Sequence, residues 1–186
     1  MKNLVKAIAV YIVLFTIGTM GFVLSFHIPL FDFIDVFFYR GVALILFWDI
    51  LLSLVMIFLS RHTFKHTIDG KDIILFFVLF SCIHSVLFTH LPVTADRSIS
   101  VFMLGHMADN ESVSFSEVDV EEVFIQKYVK EYGAFEKRFH EQVETGTIKK
   151  IPNGEYQITD SGKKLMKLYD MIADLFGIDD KLIHPS

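Results

Sequence analysis

Three long apolar segments fill the first half of this chain of 186 residues. The segments are Leu4–Phe26, Gly41–Leu59 and Ile73–Phe88, the last continuing to about Leu91. A bilayer core about 30 Å thick is crossed by about 20 apolar residues in a helix, which is close to the length of each segment. A soluble domain of this size does not carry three such segments in succession. The sequence therefore predicts an α-helical membrane protein with three transmembrane helices.

The charged residues are concentrated in the second half of the chain. Residues 91–186 hold 11 of the 17 basic and 17 of the 22 acidic residues, a net charge of −6. We therefore predict a three-helix transmembrane domain at residues 1–91, a connector at residues 92–98 and a separate domain at residues 99–186. Because binding to a phosphate backbone depends on basic charge, the acidic domain argues against nucleic acid as a partner.

The sequence contains no recognisable cofactor or metal motif. Its single cysteine, Cys82, excludes an internal disulfide and a cysteine-based zinc site. His62 and His66 lie four residues apart, near Asp69 and Asp72, but loop histidines beside Lys and Arg are more often solvated than metal-bound. There is no P-loop, dinucleotide-binding motif, zinc-protease motif or Ser-His-Asp pattern. We predict neither a cofactor nor a metal site.

Basic residues near the ends of the apolar segments predict the orientation in the membrane. Lys2 and Lys6 precede the first segment, and the first loop holds Arg40 alone. The second loop holds three bases, which are Arg61, Lys65 and Lys71. The positive-inside rule then places the N-terminus in the cytoplasm and the C-terminal domain outside a cell membrane, which we take to be a bacterial inner membrane. The first segment lacks a convincing cleavage site, so we interpret it as an uncleaved anchor.

The first loop, about residues 27–40, is almost as apolar as the helices that it joins. Asp32 and Asp35 lie three residues apart, a spacing that places both on one face of a helix. Two interpretations are open. The loop is a short helix in the outer membrane interface, or it packs on its own bundle.

Helical spacing and turn residues predict six elements in the C-terminal domain. A Ser114-Phe115-Ser116-Glu117 sequence matches a capping box at a helix start. Pro152-Asn153-Gly154 is a strong turn signal between two short alternating strands. The predicted elements are a helix over about Ile99–Asn110, a helix from Ser114 to about Tyr132, a helix over Phe135–Glu144, strands Thr147–Ile151 and Glu155–Thr159, and a helix from Thr159 or Asp160 to Gly177.

The order helix, helix, helix, hairpin, helix, with the sequence EQVETGTIKKIPNGEYQITDSGKKLMKLYDMIADLF, resembles winged-helix domains of the MarR and PadR type. In those domains a third helix leads into a two-stranded wing, and a Thr-x-x-Gly-like step opens the closing helix. Here that step runs from Thr159 to Gly162, and the resemblance covers about residues 99–178. It implies a small α+β winged-helix-like domain, and a fold alone does not imply a function.

The region that corresponds to a DNA-reading helix departs from the DNA-binding pattern. Its exposed positions carry three acids, Glu136, Glu141 and Glu144, against the two bases Lys137 and Arg138. DNA-binding domains usually present a basic face. We therefore expect this winged-helix-like domain to bind protein.

Two polar residues interrupt the apolar segments. Asp49 lies about nine residues from Arg40, and His84 about six residues from His90, so both are roughly 9–14 Å below the predicted outer surface. Asp49 and His84 are therefore predicted to meet as an intramembrane polar pair. The pair either handles protons or binds a ligand, or it is a structural hydrogen bond between two helices; alternatively, Asp49 pairs with a partner subunit.

The connector contributes a second candidate site, formed by Asp96, Arg97 and Ser98. At the predicted membrane surface, Arg97 has the geometry to hold a lipid phosphate, with Asp96 as its orienting partner or as a base. Alternatively, Thr94 or Asp96 caps a helix and Arg97 anchors the chain at the interface.

These features lead to one functional expectation and two alternatives. The chain is expected to be a non-catalytic accessory subunit whose helices contact the lipid bilayer and a larger membrane protein. Its domain outside the membrane binds or positions a partner protein. One alternative is a membrane-tethered transcription regulator, which requires the opposite orientation. The other is a small enzyme or cofactor subunit acting on lipid-linked envelope glycan substrates at Asp96 and Arg97.

Overall fold

The computed structural model describes residues 2–64 and 67–185. Contacts divide the chain into two compact units, residues 1–98 and residues 99–186. The helices of the first unit are α1 (Lys2–Ser25), α2 (Phe37–His62), α3 (Gly70–His90) and α4 (Pro92–Arg97). The predicted connector is therefore helical over most of its length.

Three stretches of helix are long and apolar enough to cross a membrane, as the sequence predicted. They are Val5–Ser25, Phe37–His62 and Gly70–Arg97. Large apolar side chains such as Ile12 and Phe58 are exposed on these helices, as expected for surfaces that face lipid. The chain is compatible with a multi-pass membrane protein.

Two apolar clusters form the core of the first unit. The cluster nearer the α2–α3 loop contains Leu14, Leu52, Met56, Ile68, Phe76 and Phe80. The cluster nearer the α1–α2 loop contains Phe22, Leu44, Ile45 and Phe88. Small residues allow the helices to approach closely: a Cβ atom on Gly21 of α1 would lie 2.3 Å from the indole of Trp48 on α2. The same indole donates a 2.9 Å hydrogen bond to Ser25 Oγ.

The loop between α1 and α2 packs on the bundle. The predicted interfacial helix is not present over the described residues 26–36, which form turns, and Phe37–Arg40 form the first turn of α2. Leu30 and Phe31 pack against the Phe22 and Phe88 cluster, which agrees with the second interpretation. These apolar side chains are partly buried against the protein, where the first interpretation required contact with lipid.

The second unit has the predicted order of three helical regions, a hairpin and a helix. Its elements are α5 (Ile99–Ala108), α6 (Glu117–Val123), a π-helical continuation (Phe124–Glu131), α7 (Ala134–Glu144), β1 (Ile148–Lys150), β2 (Tyr156–Ile158), α8 (Asp160–Phe176) and a 3₁₀ turn (Asp180–Leu182). The predicted capping box at Ser114 and Glu117 is wrong by two residues. Ser116 is the N-cap, and its side chain and backbone exchange hydrogen bonds with Asp119.

The hairpin is tied to α8 at the Thr159–Gly162 step. The two strands are antiparallel, with Ile148 opposite Ile158. Thr159, one of the two candidates for the start of the helix, caps α8 by accepting a 3.1 Å hydrogen bond from Gly162 N. Its hydroxyl donates to Gly146 O at 2.7 Å. A Cβ atom on Gly162 would lie 2.3 Å from the carbonyl oxygen of Thr147, so only glycine permits this approach.

Candidate functional site

Asp49 is enclosed within the three-helix bundle, between the two apolar clusters. It lies on α2 between Ile45 and Leu52, and its exposed fraction is 0%. Its Oδ2 atom accepts a hydrogen bond from Ser81 Oγ on α3. Its Oδ1 atom, and the Oγ atom of Ser53 one helical turn further along, are buried without a hydrogen-bond partner among the described residues. Burying a carboxyl group among apolar side chains costs free energy, and the hydrogen bond from Ser81 offsets part of that cost.

His84 on α3 occupies the same level of the bundle and is 1% exposed. Its ring stacks on Phe80 with a centroid distance of 3.9 Å. Nδ1 lies 2.9 Å from Phe80 O, and Nε2 lies 3.0 Å from Thr19 Oγ1 on α1. Because a carbonyl oxygen only accepts, Nδ1 carries a proton and donates to it.

The Thr19 hydroxyl is able to hydrogen-bond to either protonation state of the His84 ring. Thr19 Oγ1 lies 2.8 Å from Phe15 O and 3.0 Å from His84 Nε2, and it has one proton to donate. With a neutral ring, Thr19 donates to Nε2. With a charged ring, Nε2 donates to Thr19, whose proton then points to Phe15 O. The hydrogen bond between α1 and α3 therefore does not depend on the protonation state of His84.

Asp49 and His84 lie at similar depth but have different hydrogen-bond partners. Asp49 contacts Ser81, whereas His84 contacts Thr19 and Phe80. In the described part of the chain, no hydrogen bond or ion pair joins Asp49 directly to His84. Ser81, the partner of Asp49, and His84 are three residues apart on α3, so these two side chains are neighbours on one face of that helix. The Asp49–Ser81 bond connects α2 with α3, and the His84–Thr19 bond connects α3 with α1, whereas the His84–Phe80 bond lies within α3. The two bonds between helices correspond to the structural interpretation of these residues.

Enclosure of Asp49 also bears on the predicted contact with a partner subunit. Its side chain is fully buried within its own chain. A base on another protein can reach this carboxylate only if the helices separate.

The sequence analysis did not identify Thr19, Ser53 and Ser81 as site residues. Each is a hydroxyl residue within an apolar segment, and such residues often form hydrogen bonds between transmembrane helices.

The Asp96, Arg97 and Ser98 segment ends α4. Arg97 Nε lies 4.0 Å from Asp96 Oδ2, and both side chains are partly exposed. Thr94, a predicted cap, lies within α4, and its hydroxyl donates to Thr89 O at 3.4 Å. Ser98 is extended and separates α4 from α5. An ion pair at this distance and exposure contributes little to stability.

The histidine cluster of the second loop is only partly described. His66 lies outside the described residues, and the ring of His62 packs on Phe58 with a centroid distance of 4.5 Å. Asp69 caps α3, and hydrogen bonds from the backbone N–H groups of Asp72 and Lys71 lower the pKa of its carboxyl. Over residues 2–64 and 67–185, no three His, Cys, Asp or Glu side chains are grouped as a metal site would require.

Large apolar side chains are exposed over much of the second unit. α5 has no buried residue, and its Leu104 is 68% exposed. In the last turn of α8, Leu175 and Phe176 are 75% and 73% exposed. Single exposed apolar residues are normal, but adjacent ones mark surfaces that contact another protein or a membrane.

Comparison of the chain with protein-family models, curated proteins and solved structures found no match. The winged-helix resemblance of residues 99–178 therefore stays a prediction from the sequence pattern.

Proposed function

We propose that the chain is a non-catalytic accessory subunit of a membrane complex. Its three long helices lie in a cell membrane beside a larger membrane protein. Its C-terminal unit, with a winged-helix-like fold, lies outside the membrane and binds or positions a partner protein. The observation that carries this proposal is the apolar surface of that unit, above all the adjacent exposed side chains of Leu175 and Phe176.

The charges of the second unit favour protein over DNA as its partner. Glu141 is buried, whereas the sequence analysis expected it to be exposed. The Arg138 Nη1 atom lies 2.7 Å from both of its carboxylate oxygens, so the only arginine of α7 is already engaged by an acid. The amino group of Lys150, at the hairpin, lies 5.9 Å above the ring of Tyr156. A transcription regulator needs free basic side chains on these elements and a cytoplasmic second unit.

Reporter fusions test the orientation. Alkaline phosphatase fused after Ser186 is expected to be active, because it folds only outside the cytoplasm, and a green fluorescent reporter at the same position is expected to be dark. The opposite pair of results would reject the outside location and favour the membrane-tethered regulator.

Co-purification tests the accessory role. The tagged full-length chain, extracted from its host membranes in mild detergent, is expected to bring down one membrane protein in fixed stoichiometry. The double variant Leu175→Ser and Phe176→Ser should lose that protein, whereas Lys163→Ser and Lys164→Ser on the same helix should keep it. A wild-type chain that purifies alone, with no change in either double variant, would contradict the proposal.

A further inference from the structure

An apolar groove lies between α5 and α6 in the second unit. Its volume is about 530 Å³, within the range of about 300–1,000 Å³ typical of ligand-binding clefts. One wall is a single face of α5, because Ile99, Met103 and Met107 follow one another at intervals of four residues. The other residues that line the groove are Phe115, Ser116, Glu117, Val120, Glu121 and Phe124.

The walls of the groove suit an apolar helix face. Methionine side chains are flexible and polarisable, and they adapt to partners of different shape. Met103 and Met107 are 38% and 43% exposed, so these side chains are accessible to a partner. A groove between two helices accommodates the apolar side chains of a third helix, a common mode of peptide recognition.

Acidic residues set the charge that this groove can accept. Residues 99–126 contain all nine of its lining residues, six acids and no lysine or arginine. Glu117 and Glu121 lie one helical turn apart on α6, and both are exposed. Neither makes an ion pair with any described residue, whereas Asp119 on the same helix is held by Ser116. Two unpaired carboxylates therefore border the apolar walls.

We infer that this groove binds a basic amphipathic helix of the partner protein. The apolar face of that helix lies against Ile99, Met103 and Met107, and its lysine or arginine side chains pair with Glu117 and Glu121. This inference rests on the proposed function, since it specifies the chemistry of the partner.

The same charges disfavour the other occupants of such a groove. A second copy of the chain would bring the carboxylates of Glu117 and Glu121 against an identical acidic border, and like charges at an interface are unfavourable. An anionic lipid surface attracts basic segments, so it would repel this one. A basic helix satisfies both the apolar walls and the acidic border.

A designed peptide tests the inference on the full-length chain in nanodiscs of phosphatidylcholine. The probe is a fluorescent 18-residue helix with leucine on one face and lysine on the other. One control peptide carries glutamate in place of lysine, and empty nanodiscs provide the blank. We expect saturable binding of the lysine peptide, weaker at high salt, and none of the glutamate peptide.

Charge variants of α6 locate the binding site. The double variant Glu117→Gln and Glu121→Gln should weaken binding about tenfold, and Met103→Glu should weaken it at least as much. Glu122→Gln with Glu131→Gln removes the same charge away from the groove and should change affinity by less than about twofold. Circular dichroism confirms that each variant keeps its helices.

Three results would overturn the inference: equal binding by the wild type and the Glu117 and Glu121 variant, equal binding of the glutamate peptide, or self-association of the chain that Met103→Glu abolishes.

Failure of the inference is distinct from failure of the proposed function. If the co-purifying protein persists while the groove variants have no effect on it or on the peptide, the inference fails and the accessory role stands. If the peptide binds as expected but no protein co-purifies, the accessory role fails and the chemistry of the groove stands.

Discussion

Arg40 Nη1 lies 2.6 Å from Asp32 Oδ1. This ion pair holds the first loop against the N-terminal turn of α2. The same guanidinium donates to two carbonyl groups of the loop, at 3.1 Å to Leu30 O and 3.0 Å to Ile28 O. Phe31, which follows Leu30, has a φ angle of 58°, an uncommon conformation for a bulky residue. Arg40 therefore stabilises a loop conformation that is strained on its own.

Arg40→Lys is expected to lower the free energy of unfolding by about 1–2 kcal/mol, because lysine cannot reproduce the forked set of hydrogen bonds. Asp32→Asn should cost less, since the Asp32 carboxylate is half exposed and the two carbonyl contacts remain. Thermal unfolding of the detergent-solubilised chain measures both, with the exposed Asp35→Asn as the control. A larger loss for Asp32→Asn than for Arg40→Lys would show that the ion pair, rather than the carbonyl contacts, holds the loop.

A double-mutant cycle tests the partners of the buried carboxylate. Asp49→Ala and Ser81→Ala should show a coupling free energy of about 1 kcal/mol, because each removes the same interhelical hydrogen bond. Asp49→Ala and His84→Ala should couple by less than about 0.5 kcal/mol, since these residues have separate partners. Denaturant unfolding in micelles gives the energies. Coupling to His84 as strong as that to Ser81 would restore the direct pair that the sequence predicted.

Replacing either of two helical glycines by alanine should change the stability of the chain, in opposite directions for the two positions. Gly162→Ala should destabilise the chain, because its Cβ atom would meet the Thr147 carbonyl at 2.3 Å and the hairpin would have to move. Gly105→Ala on α5 meets nothing within 4 Å and should stabilise by up to about 1 kcal/mol through helix propensity. Thermal unfolding followed by circular dichroism compares them. Equal effects would mean that α8 does not approach the hairpin as described.

The capping box of α6 predicts a pH dependence. Hydrogen bonds from the Ser116 hydroxyl and backbone N–H lower the pKa of the Asp119 carboxyl relative to its ordinary value. The carboxyl contributes stability above its unfolded pKa of about 4, and that contribution is lost as pH falls through the lower folded pKa. Asp119→Asn should flatten the acid side of the unfolding curve, whereas Glu122→Gln should not. An unchanged curve in Asp119→Asn would exclude this linkage.

Arg97→Lys distinguishes an anchoring role from a phosphate-binding one. If Arg97 anchors the chain at the membrane interface, lysine should replace it with little effect, because both side chains extend to the headgroup layer. We expect this silent outcome in a cell-based assay of the complex. A sharp loss of the phenotype with normal expression and assembly would favour bidentate phosphate binding and the lipid-linked-substrate enzyme.

Local patterns in the sequence were sufficient for the helices and the hairpin. Each of these features depends on a few neighbouring residues. They are the apolar segments, the Pro152-Asn153-Gly154 turn and the Thr159 cap. The capping box was misplaced because the chain contains two overlapping candidates, Ser114 with Glu117 and Ser116 with Asp119. Local chemistry does not decide between them.

Features that depend on packing between helices were not predictable. The depth of Asp49 and His84 follows from residue numbers, but their partners depend on how far each helix is rotated about its axis. The sequence predicts a helix over Phe124–Glu131 but does not indicate that it is π-helical. Its Phe124 and Tyr128 rings pack on Phe102 of α5. The clamp by Arg40 likewise joins residues up to 12 positions apart across turns.

The hydrogen bond between Asp49 and Ser81 also has a consequence for how the protein is made. Ser81 follows Asp49 by 32 residues, so a chain that contains α2 but not α3 has no Ser81 to bind the carboxyl group. A lone aspartate at the centre of a helix disfavours insertion by about 2.5–3.5 kcal/mol. Insertion of α2 together with α3 would supply Ser81 to the Asp49 carboxyl group in place of lipid. We therefore expect chains that end before α3 to insert less stably into a membrane than the complete chain.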